Sequence, residues 1–334
     1  MAGEMDYRFL GPTGVKVSSL CLGTMTFGGE ADEKEAAAMF SLARERGINF
    51  FDCANIYNQG RAEEILGKLI QPCREEVIIT SKAYFPVGAD PNARGASRRH
   101  LRLSLEATLK RLRTDWLDLF FVHRFDDFTA LEETLRALDD LVHQGKILYI
   151  GASNYAAWQI EKALGISARE GIARLVCIQP MYNLIKRQAE VEILPMAQAE
   201  NLAVTPYSPL AGGLLTGKYS GGKMPEDARL SKNKVYATRY GEPWMQEVAA
   251  RFVAFAREHG YDPASLAVAW VRSHPAVTAP IVGARNVAQL RPSLDSLKVE
   301  MTPELRAAVS ALSPEPPPAT DRTEERTPFT LDKR

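Results

Sequence analysis

Eight short apolar runs alternate with eight helical patterns along this chain, and that alternation predicts an α/β fold, a (β/α)8 TIM barrel. Two further observations agree. No Pro/Gly/Ser-rich linker interrupts the series, and several of the apolar runs stop at a polar residue. A doubly wound open sheet would alternate as well, but eight units within about 300 residues favour closure.

The first element reads as a short hairpin, Tyr7-Arg8-Phe9-Leu10, the turn GPTG, then Val15-Lys16-Val17, expected to cap the barrel bottom. Strands follow over Ser19–Leu22, Ile48–Asp52, Val77–Ser81, Leu117–His123, Ile147–Gly151, Leu175–Gln179, Ala203–Tyr207 and Ala279–Gly283. Each is short and apolar, as a strand buried on both faces should be. The intervening helices read Glu33–Arg46, Ala62–Ile70, Ser97–Arg113, Ala130–Gln144, Ala156–Leu164, Gln188–Glu200, Trp244–Glu258 and Val287–Leu297. Two stretches, Ala83–Ala96 and Ala211–Pro243, are too long for simple connectors; both follow strands on the C-terminal face, so they should border a site. Residues 1–312 read as a single barrel domain. The tail 313–334, SPEPPPATDRTEERTPFTLDKR, is Pro-rich and charged, and is expected to be poorly ordered.

Bulk composition narrows the function classes. Lys+Arg and Asp+Glu are both 41, which argues against nucleic-acid or anionic-membrane partners. No apolar stretch is long enough to span a bilayer. The N-terminus MAGEMDYRFL lacks the basic and apolar regions of a signal peptide. Cys21, Cys53, Cys73 and Cys177 are scattered, with no close pair for metal or redox work. The expectation is a reduced, cytoplasmic protein.

Four polar residues carry the chemistry. Asp52 ends INFFD, Tyr57 lies five positions on, Lys82 follows VIITS, and His123 ends LDLFFVH. In a parallel barrel the C-terminal strand ends hold the active site. A phenol titrates near pH 10, so Tyr57 holds its proton at neutrality, and a nearby ammonium should lower its pKa; Lys82 is the candidate. Asp52 can pair with Lys82 and keep it charged, and His123 can donate a hydrogen bond to a carbonyl oxygen. Any one of these residues alone is more often structural. Four with complementary roles on neighbouring strands make a proton-transfer site.

From about Tyr7 to Leu312 the sequence resembles the aldo-keto reductases. The segments FDCANIYNQGRAEEILG, TSK, SLEATLKRLRTDWLDLFFVHRFD, GASNY, IQPMYNLIKR, TPYSPLAGGLLTGKY and IVGARNVAQL carry the likeness, in order and well spaced. The branch resembled is the bacterial one related to the potassium-channel β subunits. The resemblance implies that Asp52, Tyr57, Lys82 and His123 form the catalytic tetrad. Asn58 departs from the usual Gly beside the acid.

A carbonyl reductase needs a hydride donor, yet no GxGxxG follows any strand. The barrel face offers another mode of binding. Ser153, Asn154 and Gln179 end strands with amide and hydroxyl groups, and their family counterparts hold a nicotinamide carboxamide. Tyr207 can stack beneath the ring. Gly212 to Lys218 satisfies GxxxxGK, but Tyr219 follows where a P-loop needs Ser or Thr, so an NTPase is disfavoured. In the resembling family this loop covers the pyrophosphate through positions matching Ser208, Leu210, Gly212 and Lys218, with Arg229 near the adenosine phosphate. Gly283 permits close backbone approach. Arg285 can grip a 2′-phosphate, which points to NADPH/NADP+ over NADH. Gln289 fits the family's adenine contact, while Pro292 and Ser293 replace its usual Glu-Asn.

For the substrate, a small-molecule carbonyl or alcohol, Met25, Phe27, Tyr84, Phe85 and Phe125 suggest an apolar rim. Arg124 and Arg94 suggest instead an anionic group. The alternative function is an NADPH-binding regulatory subunit with little turnover. A metal-dependent isomerase would need ligands that the strand ends do not supply, so no metal is expected.

Overall fold

The computed structural model describes residues 4–219 and 234–322. Eight parallel strands form one sheet, in spatial order β10-β3-β4-β5-β6-β7-β8-β9. They are β3 (Cys21–Gly23), β4 (Phe50–Asp52), β5 (Ile78–Ala83), β6 (Leu117–Val122), β7 (Ile147–Ser153), β8 (Leu175–Gln179), β9 (Ala203–Val204) and β10 (Ile281–Val282). The seam between the last two closes through Thr278 N to Val204 O (2.8 Å) and Ile281 N to Pro206 O (2.9 Å), so the sheet is a barrel. The strand expected over Ala203–Tyr207 is regular only at its start, and Tyr207 joins the sheet through an isolated bridge to Met181.

Alternation along the strands sorts two cores. Cys21, Phe50, Leu119, Phe121, Cys177, Ala203 and Ile281 point inward and form the barrel interior. Leu22, Phe51, Ile79, Phe120, Ile150, Ile178 and Val204 point outward and pack against the helices. Gly151 has no side chain because a Cβ there would meet the Phe121 ring at 2.5 Å. The interior is filled by large side chains beside small ones.

The expected hairpin is β1 (Tyr7–Phe9) paired with β2 (Lys16–Ser18), in register Arg8↔Val17. Leu10 and Val17 enter the interior cluster and plug the bottom. Gly11, at φ +57°, is required at this seat: a Cβ would strike Val176 O at 2.5 Å and Ala203 N at 2.8 Å.

Helices α1 (Glu33–Glu45), α2 (Arg61–Ile70), α3 (Arg98–Leu112), α4 (Leu131–His143), α5 (Ala157–Glu170), α6 (Ile193–Ala199), α8 (Pro243–Glu258) and α10 (Val287–Asp295) follow the expected series, although α5 runs on past Leu164 to Glu170 and α6 starts at Ile193, after a separate 3-10 turn over Gln188–Glu190. Among the described residues three more lie outside that series: α7 (Lys234–Tyr240), α9 (Pro263–Arg272) and α11 (Pro303–Ser310). Helix α9 is buried from Pro263 to Val271, so it has no polar face and no 3.6-residue alternation to betray it. Its start was nonetheless legible, since Asp262 caps it and Pro263 holds the first helical position. Helix α11 begins the same way, with Thr302 and Pro303. Among the described residues no helix is long and apolar enough to cross a membrane.

Candidate active site

The inward alternation of each strand continues past the hydrophobic interior and delivers the polar residues to one face. Asp52 lies two residues after Phe50, Lys82 two after Thr80, His123 two after Phe121, and Gln179 two after Cys177. Side chains two apart on a strand share a face, so the same periodicity that fills the barrel builds the site.

Lys82 is fully buried and its Nζ lies 2.6 Å from Asp52 Oδ2, 2.7 Å from Cys53 O and 3.4 Å from the Tyr57 hydroxyl. Asp52 Oδ1 accepts from Thr80 Oγ1 at 2.8 Å and from Gln179 Nε2 at 2.9 Å. Burial alone would pull the Lys82 pKa down. Attraction to Asp52 chiefly, with the Asp52 hydrogen bond, outweighs it and holds the ammonium above its ordinary range.

Tyr57 corrects the expectation of a lowered pKa. Desolvation by the surrounding protein pushes the phenol up to about 12, against the opposing pull of the Lys82 charge. The lysine acts in the expected direction but loses to burial. His123 faces Tyr57 edge-on, with ring centroids 6.1 Å apart. Burial first, and the Lys82 charge second, hold the imidazole well below its ordinary range, so it is neutral. Its Nδ1 is buried and has no hydrogen-bond partner among the described residues.

Above this group opens a cavity of about 930 Å³. Asp52, Tyr57 and His123 lie on its wall with Ser153, Asn154, Gln179, Tyr207, Ser208, Leu210, Gly212, Lys218, Gly283, Arg285 and Gln289, so nearly every expected cofactor residue converges there. Arg229 lies outside the described residues. The Tyr207 hydroxyl donates to Asn154 Oδ1 at 2.7 Å, and Asn154 Nδ2 donates to His123 O at 2.8 Å. The Arg285 backbone N–H donates to Gln289 Oε1 at 3.3 Å, and Asn286 caps the start of α10. Pro292 reaches the cavity wall, whereas Ser293 is fully buried and its hydroxyl has no partner among the described residues.

Of the five residues expected at an apolar rim, the structure brings two to the cavity wall. Met25 and Phe85 line the cavity; Phe27, Tyr84 and Phe125 do not. Phe27 is fully buried in the outer core. Tyr84 packs edge-on against Phe85, and Phe125 packs against Tyr155 and Trp158. Tyr84 and Phe85 are neighbours just past β5 and face opposite ways, as adjacent side chains on extended backbone do. Arg124 reaches the cavity and Arg94 does not. Ile56, Thr26, Tyr236 and Arg239 also line it. The last two sit on α7, and nothing in their sequence marks them.

Asn58 explains its own departure from Gly. It sits at φ 46°, ψ 43°, left-handed backbone that Asn tolerates best after Gly. Its side-chain amide donates to Met25 O at 3.0 Å and Phe27 O at 2.8 Å, tying the loop after β3 to the loop that carries Tyr57. Gln59, Asn154, Ser208 and Ala211 also hold positive φ beside the cavity. Such strain, about 1–2 kcal/mol per residue, persists where the surroundings over-determine the backbone, and it clusters at functional sites.

Among the described residues no group of three or more His, Cys, Asp or Glu is placed to hold a metal ion. The sequence profile of the Aldo/keto reductase family matches residues 19–313. An uncharacterized oxidoreductase, YrpG, of Bacillus subtilis is 38% identical over 324 residues, covering 93% of this chain and 97% of its own. A probable voltage-gated potassium channel subunit beta of Arabidopsis thaliana is 37% identical, covering 88% of this chain and 92% of its own. The versiconal hemiacetal acetate reductase of Aspergillus parasiticus is 32% identical, covering 90% and 94%.

Proposed function

The chain belongs to the aldo/keto reductase family, and from that premise we propose that it reduces aldehydes or ketones to alcohols with NADPH. One observation carries the reading: the Asp52–Lys82–Tyr57 line at the floor of a cavity whose wall has the residues for a dinucleotide. Those residues fit the group. Lys218 folds back over the loop, its Nζ 2.5 Å from where a Gly213 Cβ would stand, and Arg285 precedes the N-terminus of α10. Arg285 supports NADPH over NADH.

A bound reduced nicotinamide supplies the hydride. Tyr57 hands its hydroxyl proton to the carbonyl oxygen as negative charge grows there, because an alkoxide is far more basic than a phenolate. Lys82 then faces the phenolate, and Asp52 keeps that ammonium charged. His123, being neutral, donates an N–H to the same oxygen without adding a charge. In the reverse direction the same groups accept the alcohol's proton. Free cysteines, three of them buried, support a reducing compartment such as the cytoplasm.

The likeness to a potassium channel subunit beta favours a second reading, an NADPH-binding regulatory subunit with little turnover. Titrating the purified protein with NADPH and NADH, then following reduced-nicotinamide absorbance with a panel of aldehydes and ketones, separates the two. Binding with oxidation of NADPH supports the reductase. Binding without oxidation supports the regulatory subunit, and no binding overturns both.

A further inference from the structure

Four cationic side chains line the cavity, Arg124, Lys218, Arg239 and Arg285, against two carboxylates, Asp52 and Asp262. Both carboxylates are committed: Asp52 to Lys82, and Asp262 to the Ser265 backbone N–H at 2.9 Å as the cap of α9. Lys218 and Arg285 belong to the dinucleotide under the reading above. Arg124, directly after His123 in the chain, lines the same cavity, and among the described residues no carboxylate pairs with it.

The acid next along the loop does not serve. Asp126 Oδ2 accepts from the Ala96 backbone N–H and from the Thr129 hydroxyl, each at 2.7 Å, and Oδ1 from the Phe128 N–H at 3.0 Å. That carboxylate organises its own loop. A guanidinium on this cavity wall with no carboxylate partner among the described residues is a planar, permanently charged fork suited to an oxyacid. Phe85 packs edge-on against the His123 ring at 4.9 Å, so an aromatic ring and a guanidinium share the cavity wall with that imidazole.

We propose that Arg124 forms an anion subsite and that the substrate is a carbonyl compound with an apolar body and a carboxylate or phosphate group. The proposal rests on the reductase reading. It assigns the body of the substrate to Phe85 and Met25, and its charge to Arg124.

The test compares kcat/KM within matched pairs, using NADPH: 4-formylbenzoate against its neutral methyl ester, and glyceraldehyde 3-phosphate against glyceraldehyde. The expected result is a preference for the anion of about tenfold or more that shrinks with added salt. A preference confined to one pair identifies carboxylate or phosphate. Arg124→Gln should bring that ratio close to one, Arg124→Lys should keep part of it, and Arg94→Gln should leave it unchanged. A ratio near one in the native protein, or one that survives Arg124→Gln, overturns the proposal while the reductase reading stands. Should no probe be reduced, the reductase reading fails instead. Quenching of tryptophan fluorescence by 4-(hydroxymethyl)benzoate then decides the subsite. Binding that weakens at least about tenfold in Arg124→Gln supports it, and absent or unaltered binding overturns it.

Discussion

Gln179 and Asp52, 127 residues apart in the chain, share a 2.9 Å hydrogen bond across the top of the barrel. Gln179 was expected to meet the nicotinamide carboxamide, yet its Nε2 is committed to the carboxylate that holds Lys82. Its carbonyl oxygen is what a ligand amide would meet. In the proposed reductase one side chain thereby joins cofactor binding to the buried ion pair. Gln179→Met should destabilise the protein by about 1.5–3 kcal/mol, the range for a hydrogen bond to a charged group, and should weaken NADPH as well. Chemical denaturation alongside an NADPH titration checks both. Weakened cofactor binding with unchanged stability would show that the bond to Asp52 does no structural work.

Tyr57→Phe should leave NADPH affinity intact and lower the reduction rate by about 10²-fold or more. The pH profile follows from the two shifts. A phenol pushed up to about 12 stays protonated across neutral and mildly alkaline pH, so reduction should not fall until pH rises toward that value. A His123 pKa held well below normal keeps the imidazole neutral as pH drops through about 6.5, the usual imidazole value, so no loss is expected there from this residue. Steady-state rates across that window check the two limbs. A fall near 6.5 that vanishes in a His123 variant would contradict the assignment.

Substitutions at Asn58 separate hydrogen bonding from backbone strain. Gly accepts the left-handed backbone but loses both bonds to Met25 O and Phe27 O. Ala loses the bonds and adds a steric cost of about 1–2 kcal/mol. Stability should therefore rank Asn above Gly above Ala, and the lip formed by Met25 should loosen in both variants. Melting curves give the order, and an Ala variant as stable as the native protein would remove the strain argument.

Arg285→Ala should weaken NADPH by about tenfold or more, given the strength of a charge-assisted hydrogen bond to phosphate. NADH, which lacks the 2′-phosphate, should lose far less. Dissociation constants for the two dinucleotides give the comparison, and equal losses would remove Arg285 from the phosphate.

Period-two alternation is a local property, and it is why so much of the site was legible along the chain. A short apolar strand ending in Asp52, Lys82, His123 or Gln179 declares both the barrel and the face on which that residue stands. The same logic places Gly212, Lys218 and Arg285 at their strand-end loops. What depends on several distant segments at once had no such signature. The net direction of the Tyr57 shift is a contest between burial and the Lys82 charge. The turning of Phe27 and Phe125 away from the cavity follows from which neighbours the helices bring. Tyr236 and Arg239 reach the wall only because α7 folds over it. Helix α9 lacks a sequence signature for the opposite reason, since burial on every side erases the amphipathic pattern of a surface helix. Residue types and their period along one strand come from the chain itself, whereas desolvation, facing and pairing across segments are sums over neighbours that only the folded arrangement supplies.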